Sequence, residues 1–306
     1  MATSGPQVLA AKAGLTKSAD EIIGAKVHAE KSGLSAMTVS SAELKGKLVS
    51  IIDLIGNLNI QIDMDTNPNA LSAIGAESSA HDVINGVLDS GSFIELYSEY
   101  AKAVVCGLGK LGGITVGILA NAKPRLCAKC AKKAARFVNF LNCYNIPLIT
   151  FVDCEGAVVK LESEQAGVEK EIATLIYSIA SASVAKISVI TKKAVGVGYA
   201  ALASKALGFD YSLAWAGSYV SALPAETGAE IVYEEEIAKA DDPQAAREAV
   251  VAKYEAINGD PLHAAKNNLI DNIIDPAQTR PYLASALQMF ASKEVCCHKE
   301  GGNYPL

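Results

Sequence analysis

The stretch best suited to chemistry runs from Lys186 to Leu207: a β-rich run, the turn Ala194-Val195-Gly196-Val197-Gly198-Tyr199, and a helix-forming segment rich in Ala and Leu. A strand that feeds a glycine turn and a helix N-terminus leaves several backbone N–H groups without acceptors, at the positive end of the helix dipole. Such a cradle can hold an oxygen that gains negative charge during reaction. The same glycines would equally serve close packing of strand on helix, and spacing alone does not choose between the two.

Other reactive residue types are present in weaker patterns. Cys127 and Cys130 have the spacing of half a zinc site, with Cys296, Cys297 and His298 as distant candidates for the rest. No second pair stands at a recognisable interval and both Cys127 and Cys130 fall inside an amphipathic helix pattern, so no metal is expected. The seven cysteines are an odd number spread along a long chain, unlike a disulfide framework, and this predicts reduced thiols. Glu162, Glu164, Glu169 and Glu171 read as a solvated helix face rather than a paired acid and base. Asp153 ends a strand, where α/β proteins bind ligands, and fits a catalytic or a capping role. His263 has no nucleophile patterned beside it. The chain has no Gly-x-Ser-x-Gly, His-Glu-x-x-His or phosphate-loop lysine motif, so serine hydrolase, zinc protease and nucleotidase activities find no support.

These residues need a scaffold, and hydrophobic periodicity supplies one. Val104 to Leu108 and Ile114 to Ala120 flank Gly109-Lys110-Leu111-Gly112-Gly113 as a hairpin. Leu126, Cys130, Ala134, Phe137, Val138, Leu141 and Tyr144 recur at helical spacing, which predicts a long amphipathic helix. Strands are expected at 146–152, 186–191, 211–214, 219–222 and 270–274. Helices are expected at 164–182, 198–207, 225–237, 276–291 and from the Asp242-Pro243 start to about 257. Strand and helix alternate, so the fold class is α/β. Loop-forming residues between Asn57 and Ser79 mark a boundary, with a short helix over 80–88 entering the main domain.

The length of 306 residues, half of them apolar, allows one large or two ordinary domains with a substantial core. A formal charge of −6 without a Lys/Arg tract argues against nucleic acid as a partner. No apolar run reaches the roughly 18 residues that a membrane span needs, and Met1 to Pro6 has neither the basic start nor the apolar stretch of a secretory signal. The expected location is cytoplasmic.

Longer segments resemble the carboxyltransferase component of biotin-dependent acyl-CoA carboxylases and the related decarboxylases. They include Gly91 to Glu95, Gly107 to Gly113, Val116 to Asn121, Lys133 to Val138, Asn145 to Asp153, the turn at 195–199, and Ala264-Ala265, Asp271, Ile274-Asp275-Pro276 and Thr279-Arg280. The resemblance implies a crotonase-like (ClpP/crotonase) spiral of β-β-α units with a helical C-terminal region. It also implies that residues 80–306 form the second carboxyltransferase domain, and residues 1–79 a remnant of the first domain plus a linker. By the same resemblance, the backbone N–H groups of Gly196 and Val197 form an oxyanion hole for the ureido oxygen of biotin. Gly156, Gly198 and Tyr199 would line the biotin site. Family members commonly have Tyr-Gly-Gly-Ala-Tyr at this turn, whereas Val197 here replaces the second glycine. A β-branched residue there would be strained if position 197 required positive φ.

The implied activity is carboxyl transfer between carboxybiotin and an acyl-CoA such as acetyl- or propionyl-CoA. A biotin carboxyl carrier protein would be a partner, a complementary first domain or subunit another, and the assembly an oligomer. The alternative is a non-catalytic assembly or regulatory homologue of such a subunit. A crotonase-like hydratase or isomerase is a third reading, disfavoured because no carboxylate pair accompanies the turn. A reduced first domain further predicts exposed apolar surface.

Overall fold

The computed structural model describes residues 2–56, 62–63, 74–75 and 77–293. Four helices come first: α1 (Pro6–Ala13), α2 (Ala19–Ile23), α3 (Ala25–Val27) and α4 (Ser41–Gly56). Helix α5 (Ala80–Val87) follows, with β1 (Ile94–Leu96), β2 (Val104–Leu111) and β3 (Ile114–Asn121). Next are α6 (Ala128–Cys143), β4 (Leu148–Cys154), α7 (Leu161–Gln165), α8 (Val168–Ser181), β5 (Lys186–Val195) and α9 (Val197–Leu202). The remainder comprises β6 (Tyr211–Trp215), β7 (Tyr219–Ser221), α10 (Ala225–Val232), α11 (Glu234–Ala238), α12 (Pro243–Tyr254), α13 (Pro261–Lys266), β8 (Asn272–Ile274) and α14 (Thr279–Met289).

These strands join in one sheet of order β1-β2-β3-β4-β5-β6-β8, with β7 paired to β5 off that path. Pairing is antiparallel through the β1-β2-β3 meander and parallel from β3 onward. Strand β4 shows why its sequence is apolar on both faces, with buried Thr150 satisfied by Leu202 O. Leu148 and Val152 enter the cluster under α6, α8 and α9, while Ile149 and Phe151 enter the cluster under α5 and α14. Alternate side chains face opposite sides, and a parallel strand covered on both is mostly apolar on both.

Expected elements are present with shifted boundaries. The hairpin strands run on to Leu111 and Ile114, so the turn is only Gly112-Gly113, both at positive φ. The helix expected at 164–182 is two, because Gly167 adopts φ +74°, ending α7 and starting α8. The span 225–237 likewise divides at Tyr233. Helix α9 stops at Leu202 and a separate 3₁₀ turn covers Lys205–Leu207, while α14 is preceded by a 3₁₀ turn at Pro276–Gln278. Asp242 caps α12 as expected, accepting from the Gln244 and Ala245 amides. Most of the expected linker, Asn57 to Ser79, lies outside the described residues. No helix among the described residues is long and apolar enough to cross a membrane.

The N-terminal helices are tied to the main body. Tyr97 N–H donates to Ala36 O at 2.7 Å, Arg136 donates to Gly33 O at 3.1 Å, and Gly33 lies against the Tyr100 ring. Helix α4 buries Leu54 but leaves Leu48, Val49 and Ile52 exposed, so apolar surface is present on this face.

Three buried cations hold irregular segments in place. Lys133 Nζ donates to the carbonyls of Tyr97, Tyr100 and Val104 at 2.9, 3.0 and 2.7 Å, gathering the loop between β1 and β2. Lys186 Nζ donates to Ile179 O and Leu207 O. Arg280, 1% exposed, donates to Asp89 at 2.7 Å, and Asp89 also accepts the Gly112 and Gly113 amides, each at 2.8 Å. This network ties α14 to the tip of the β2-β3 hairpin.

Removing one partner of a buried ion pair leaves the other charge without compensation. Arg280→Met is therefore expected to lower unfolding free energy by about 3–5 kcal/mol, measured by urea titration; a loss below 1 kcal/mol would contradict the role of the pair. Burial, then the nearby Lys293, pushes the Lys186 ammonium down to about 8, against a weaker upward effect of Asp210. The unfolded chain then binds more protons than the native one between about pH 8 and the ordinary lysine range, so stability should rise with pH across that window. In Lys186→Met this rise should shrink, as read from urea midpoints at pH 7.5 and 10.

Candidate active site

Strand β5 changes partners along its length. Its first half, Ile187 to Ile190, pairs with both β4 and β6, whereas Lys193, Ala194 and Val195 pair with Tyr219, Val220 and Ser221 of β7. The chain then turns at Gly196, with φ +52° and ψ −121°, and enters α9 at Val197. Only glycine adopts that backbone comfortably.

The turn separates the two amides expected to form the oxyanion hole. Gly196 N–H donates to Ser221 O at 3.0 Å, continuing the β5-β7 ladder, so this amide is occupied and the expectation for Gly196 is corrected. Val197 N–H is different. As the first residue of a helix it has no acceptor within the helix, and no other acceptor among the described residues takes it. Gly198, at the second position, is in the same situation. The two amides at the helix start without an acceptor among the described residues are thus those of Val197 and Gly198.

The concern about a β-branched residue also resolves. Positive φ falls on Gly196 and not on Val197. The Val197 side chain packs against the main apolar cluster, leaving its N–H at the helix start.

The remaining expected residues converge on this turn with distinct roles. A Cβ on Gly198 would lie 2.5 Å from Cys154 O, so glycine there lets α9 press onto the end of β4. Gly156, at φ +113°, brings its loop beside the turn: a Cβ there would come within 3.8 Å of Val195 O. Tyr199 donates its hydroxyl to Leu269 O at 2.8 Å, tying α9 to the segment before β8, and burial raises its pKa. That hydroxyl is a tie and not a free proton donor.

A cleft of about 190 Å³ opens beside the turn, with Val195 and Tyr219 in its wall and Arg125, Lys193, Glu155 and Glu255 at its rim. Lys193 Nζ donates to Glu155 at 2.8 Å and Arg125 lies 3.9 Å from the same carboxylate. The Glu155 hydrogen bond raises the Lys193 pKa, so this side chain remains a cation. Sequence patterns missed Arg125, Glu155 and Lys193 as a group. Lys193 is three residues before the turn and could have been noticed, but its partners are set by the β3-α6 and β4-α7 loops.

Asp153 faces a second cleft, with Asn121, Thr191 and Lys192, on the other side of the strand ends. Burial raises its carboxyl pKa, and nearby Lys192 opposes the effect. It does not join the turn. Glu162, Glu164, Glu169 and Glu171 occupy the first turns of α7 and α8, where the helix dipole favours acidic groups. His263 is half-buried in the short helix α13.

Reduced thiols were expected throughout, yet Cys127 and Cys130 form a disulfide at the start of α6. The reason is local: Cys127 caps the helix and Cys130 occupies its first turn, which brings their Cα atoms to 5.0 Å. Cys296, Cys297 and His298 lie outside the described residues. Among the described residues, no group of three or more His, Cys, Asp or Glu is arranged to hold a metal ion.

Comparison with known proteins places this geometry in context. The carboxyl transferase domain family matches residues 1–304. A propionyl-CoA carboxylase carboxyltransferase subunit from Haloferax mediterranei is 32% identical over all of this chain and 63% of its own length. The methylmalonyl-CoA carboxyltransferase 12S subunit of Propionibacterium freudenreichii subsp. shermanii is 33% identical, over all of this chain and 62% of its own length. A crystal structure of the transcarboxylase 12S hexamer, with methylmalonyl-coenzyme A and methylmalonic acid bound, superposes over all of this chain with a TM-score of 0.91 at 32% identity, covering 62% of that protein. The chain therefore spans less than two thirds of the length of these relatives. Its fold is the crotonase-like fold of the carboxyltransferases.

The Gly198 contact is testable. Gly198→Ala forces a methyl group against Cys154 and should cost about 1–3 kcal/mol of stability. Thermal unfolding would show a lowered midpoint, and an unchanged midpoint would mean that α9 does not press on β4 as described.

Proposed function

Because the chain belongs to the carboxyl transferase domain family, we propose that it supplies the biotin side of a biotin-dependent acyl-CoA carboxyltransferase. The observation that carries this reading is the N–H of Val197, held without an acceptor at the start of α9 by the positive-φ turn at Gly196. With Gly198 N–H beside it, this donor suits an oxygen that gains negative charge, as the ureido oxygen of biotin does when its carboxyl group departs. Bound carboxybiotin supplies the carboxyl group for transfer. Preorganised backbone donors cost no reorganisation during reaction, and one such donor contributes roughly 10²–10³ in rate.

The rest of the chain's contribution is positioning. Gly156 and Gly198 bring the two loops together closely enough to shape the berth, and Tyr199 anchors α9 through Leu269. Lys193 and Arg125 meet Glu155 in the lining of the adjoining cleft and hold the loop that carries Gly156. The relatives' names support an acyl-CoA of the propionyl or methylmalonyl class as the other substrate.

On this reading residues 80–306 constitute the biotin-side domain and residues 1–79 the end of a first domain and its linker. The CoA-binding half would come from a complementary chain or subunit, in a homo- or hetero-oligomer, and a biotin carboxyl carrier protein would deliver biotin. A cytoplasmic setting belongs to the same reading. The exposed apolar residues of α4 support an assembled state.

Proline at the first position of a helix preserves backbone geometry while removing the N–H. In an assembly with the complementary half, Val197→Pro should reduce carboxyl transfer from methylmalonyl-CoA to free biotin by about 100-fold, with the thermal midpoint maintained. Val197→Ala, which keeps the N–H, should retain most activity. Equal rates for the proline and alanine variants would sink the oxyanion assignment.

A further inference from the structure

The Cys127–Cys130 pair stands apart from the carboxyl-transfer reading, which makes no use of it. Its two sulfurs are unequal: Cys127 is half-buried and caps α6, whereas Cys130 is fully buried in the first turn. Cys127 Sγ also accepts the Cys130 N–H at 3.2 Å. The free cysteines among the described residues contrast with this pair. Cys106 and Cys154 are buried, with burial pushing the Cys106 thiol up to about 12, and Cys143 is exposed without a partner.

What precedes Cys127 in the chain is also informative. Leu126 N–H donates to Gly156 O at 2.9 Å, and Val158 N–H donates back to Leu126 O at 3.0 Å. Glu155 N–H donates to Pro124 O, and Arg125 donates to Ala157 O at 3.2 Å. Residues 124–126 thus pin the loop 155–158, which carries Gly156 against the turn and Glu155 at the rim of the cleft.

We propose that Cys127 and Cys130 form a reversible dithiol–disulfide site that reacts with dithiols, and that its redox state is transmitted through residues 124–126 to the loop 155–158. In the reductive direction, a thiolate of the dithiol attacks the accessible Cys127 sulfur. The protein S–S bond breaks, a mixed disulfide forms on Cys127, and Cys130 leaves as a thiolate that takes up a proton. Amides at the start of a helix favour negative charge on either sulfur during this exchange. The second thiol of the reagent then attacks its own sulfur in the mixed disulfide and releases Cys127 as a thiolate. The net change is one protein disulfide and one dithiol converted to two protein thiols and one cyclic disulfide, with two electrons passing to the protein. Freed of the cross-link, Cys127 loses its fixed position, and the segment 124–126 that leads directly into it loses an anchor. The proposal does not depend on whether the chain transfers carboxyl groups.

The test equilibrates the full chain in buffers of reduced and oxidised dithiothreitol at varied ratio, quenches with acid and alkylates with N-ethylmaleimide. Peptide mapping then gives the fraction of the Cys127–Cys130 segment that carries two adducts. The expected result is one two-electron transition across the series. In Cys130→Ser, Cys127 should form a mixed disulfide with oxidised glutathione at least tenfold faster than Cys130 does in Cys127→Ser. Two adducts at every ratio, no adducts under excess reductant, or pairing of Cys127 with another cysteine would each overturn the site. Hydrogen exchange tests transmission independently of activity. The Glu155 and Val158 amides should exchange at least tenfold faster in the reduced protein and in the Cys127→Ser/Cys130→Ser variant than in the oxidised protein, and equal exchange in all three would overturn the link.

Discussion

Much of this structure depends on one backbone reversal. At Gly196 the chain leaves β5 at positive φ, and the same residue completes the β5-β7 ladder through its N–H while starting a helix through its carbonyl, which accepts from Ala200 N–H. Helix N-caps ordinarily have extended backbone angles, but Gly196 has φ +52° and ψ −121°, which glycine alone adopts without strain. The consequence is a division of labour between adjacent amides. That of Gly196 is structural, and that of Val197 is left facing outward from the helix start. Val197 can be β-branched because the strain is borne by its neighbour.

Close approach follows from the same constraint. For α9 to begin immediately after β5, it must lie across the end of β4, and Gly198 permits this by offering no side chain to Cys154. The β4-α7 loop is then held from its other side by residues 124–126, so three segments distant in sequence meet at one point. Tyr199 fixes the far end of the short helix through Leu269. A helix of six residues has little intrinsic stability, and these tertiary ties hold it in place.

Away from the turn, irregular segments rely on buried cations. Lys133 donates to three carbonyls and Lys186 to two, where loops and element ends meet, and Arg280 with Asp89 closes the hairpin tip against α14. A buried carbonyl left unpaired costs about 1–3 kcal/mol, which offsets part of the penalty for burying the ammonium group. Burial correspondingly lowers the Lys133 pKa. Polar groups in the core thus act where the regular hydrogen-bond ladders end, and the sheet itself is sustained by apolar side chains on both faces.

Periodicity in the chain by itself determined the alternation of strands and helices, the hairpin at 104–121, the amphipathic helix α6 and the strand-turn-helix at 186–202. These are local matters, set by apolar spacing and by glycine and capping residues. Helix interruptions at Gly167 and Tyr233 were less legible, since a single residue outside the helical region barely disturbs an apolar stripe. Which amide stays free at the turn was decided only by the tertiary structure, because the acceptor for Gly196, Ser221, belongs to a strand 25 residues further on, whose pairing with β5 no local pattern records. The union of Arg125, Glu155 and Lys193 was likewise a product of packing. Local sequence dictates backbone propensity within a few residues, but the choice of hydrogen-bond and side-chain partners across the fold depends on how the sheet brings distant segments together.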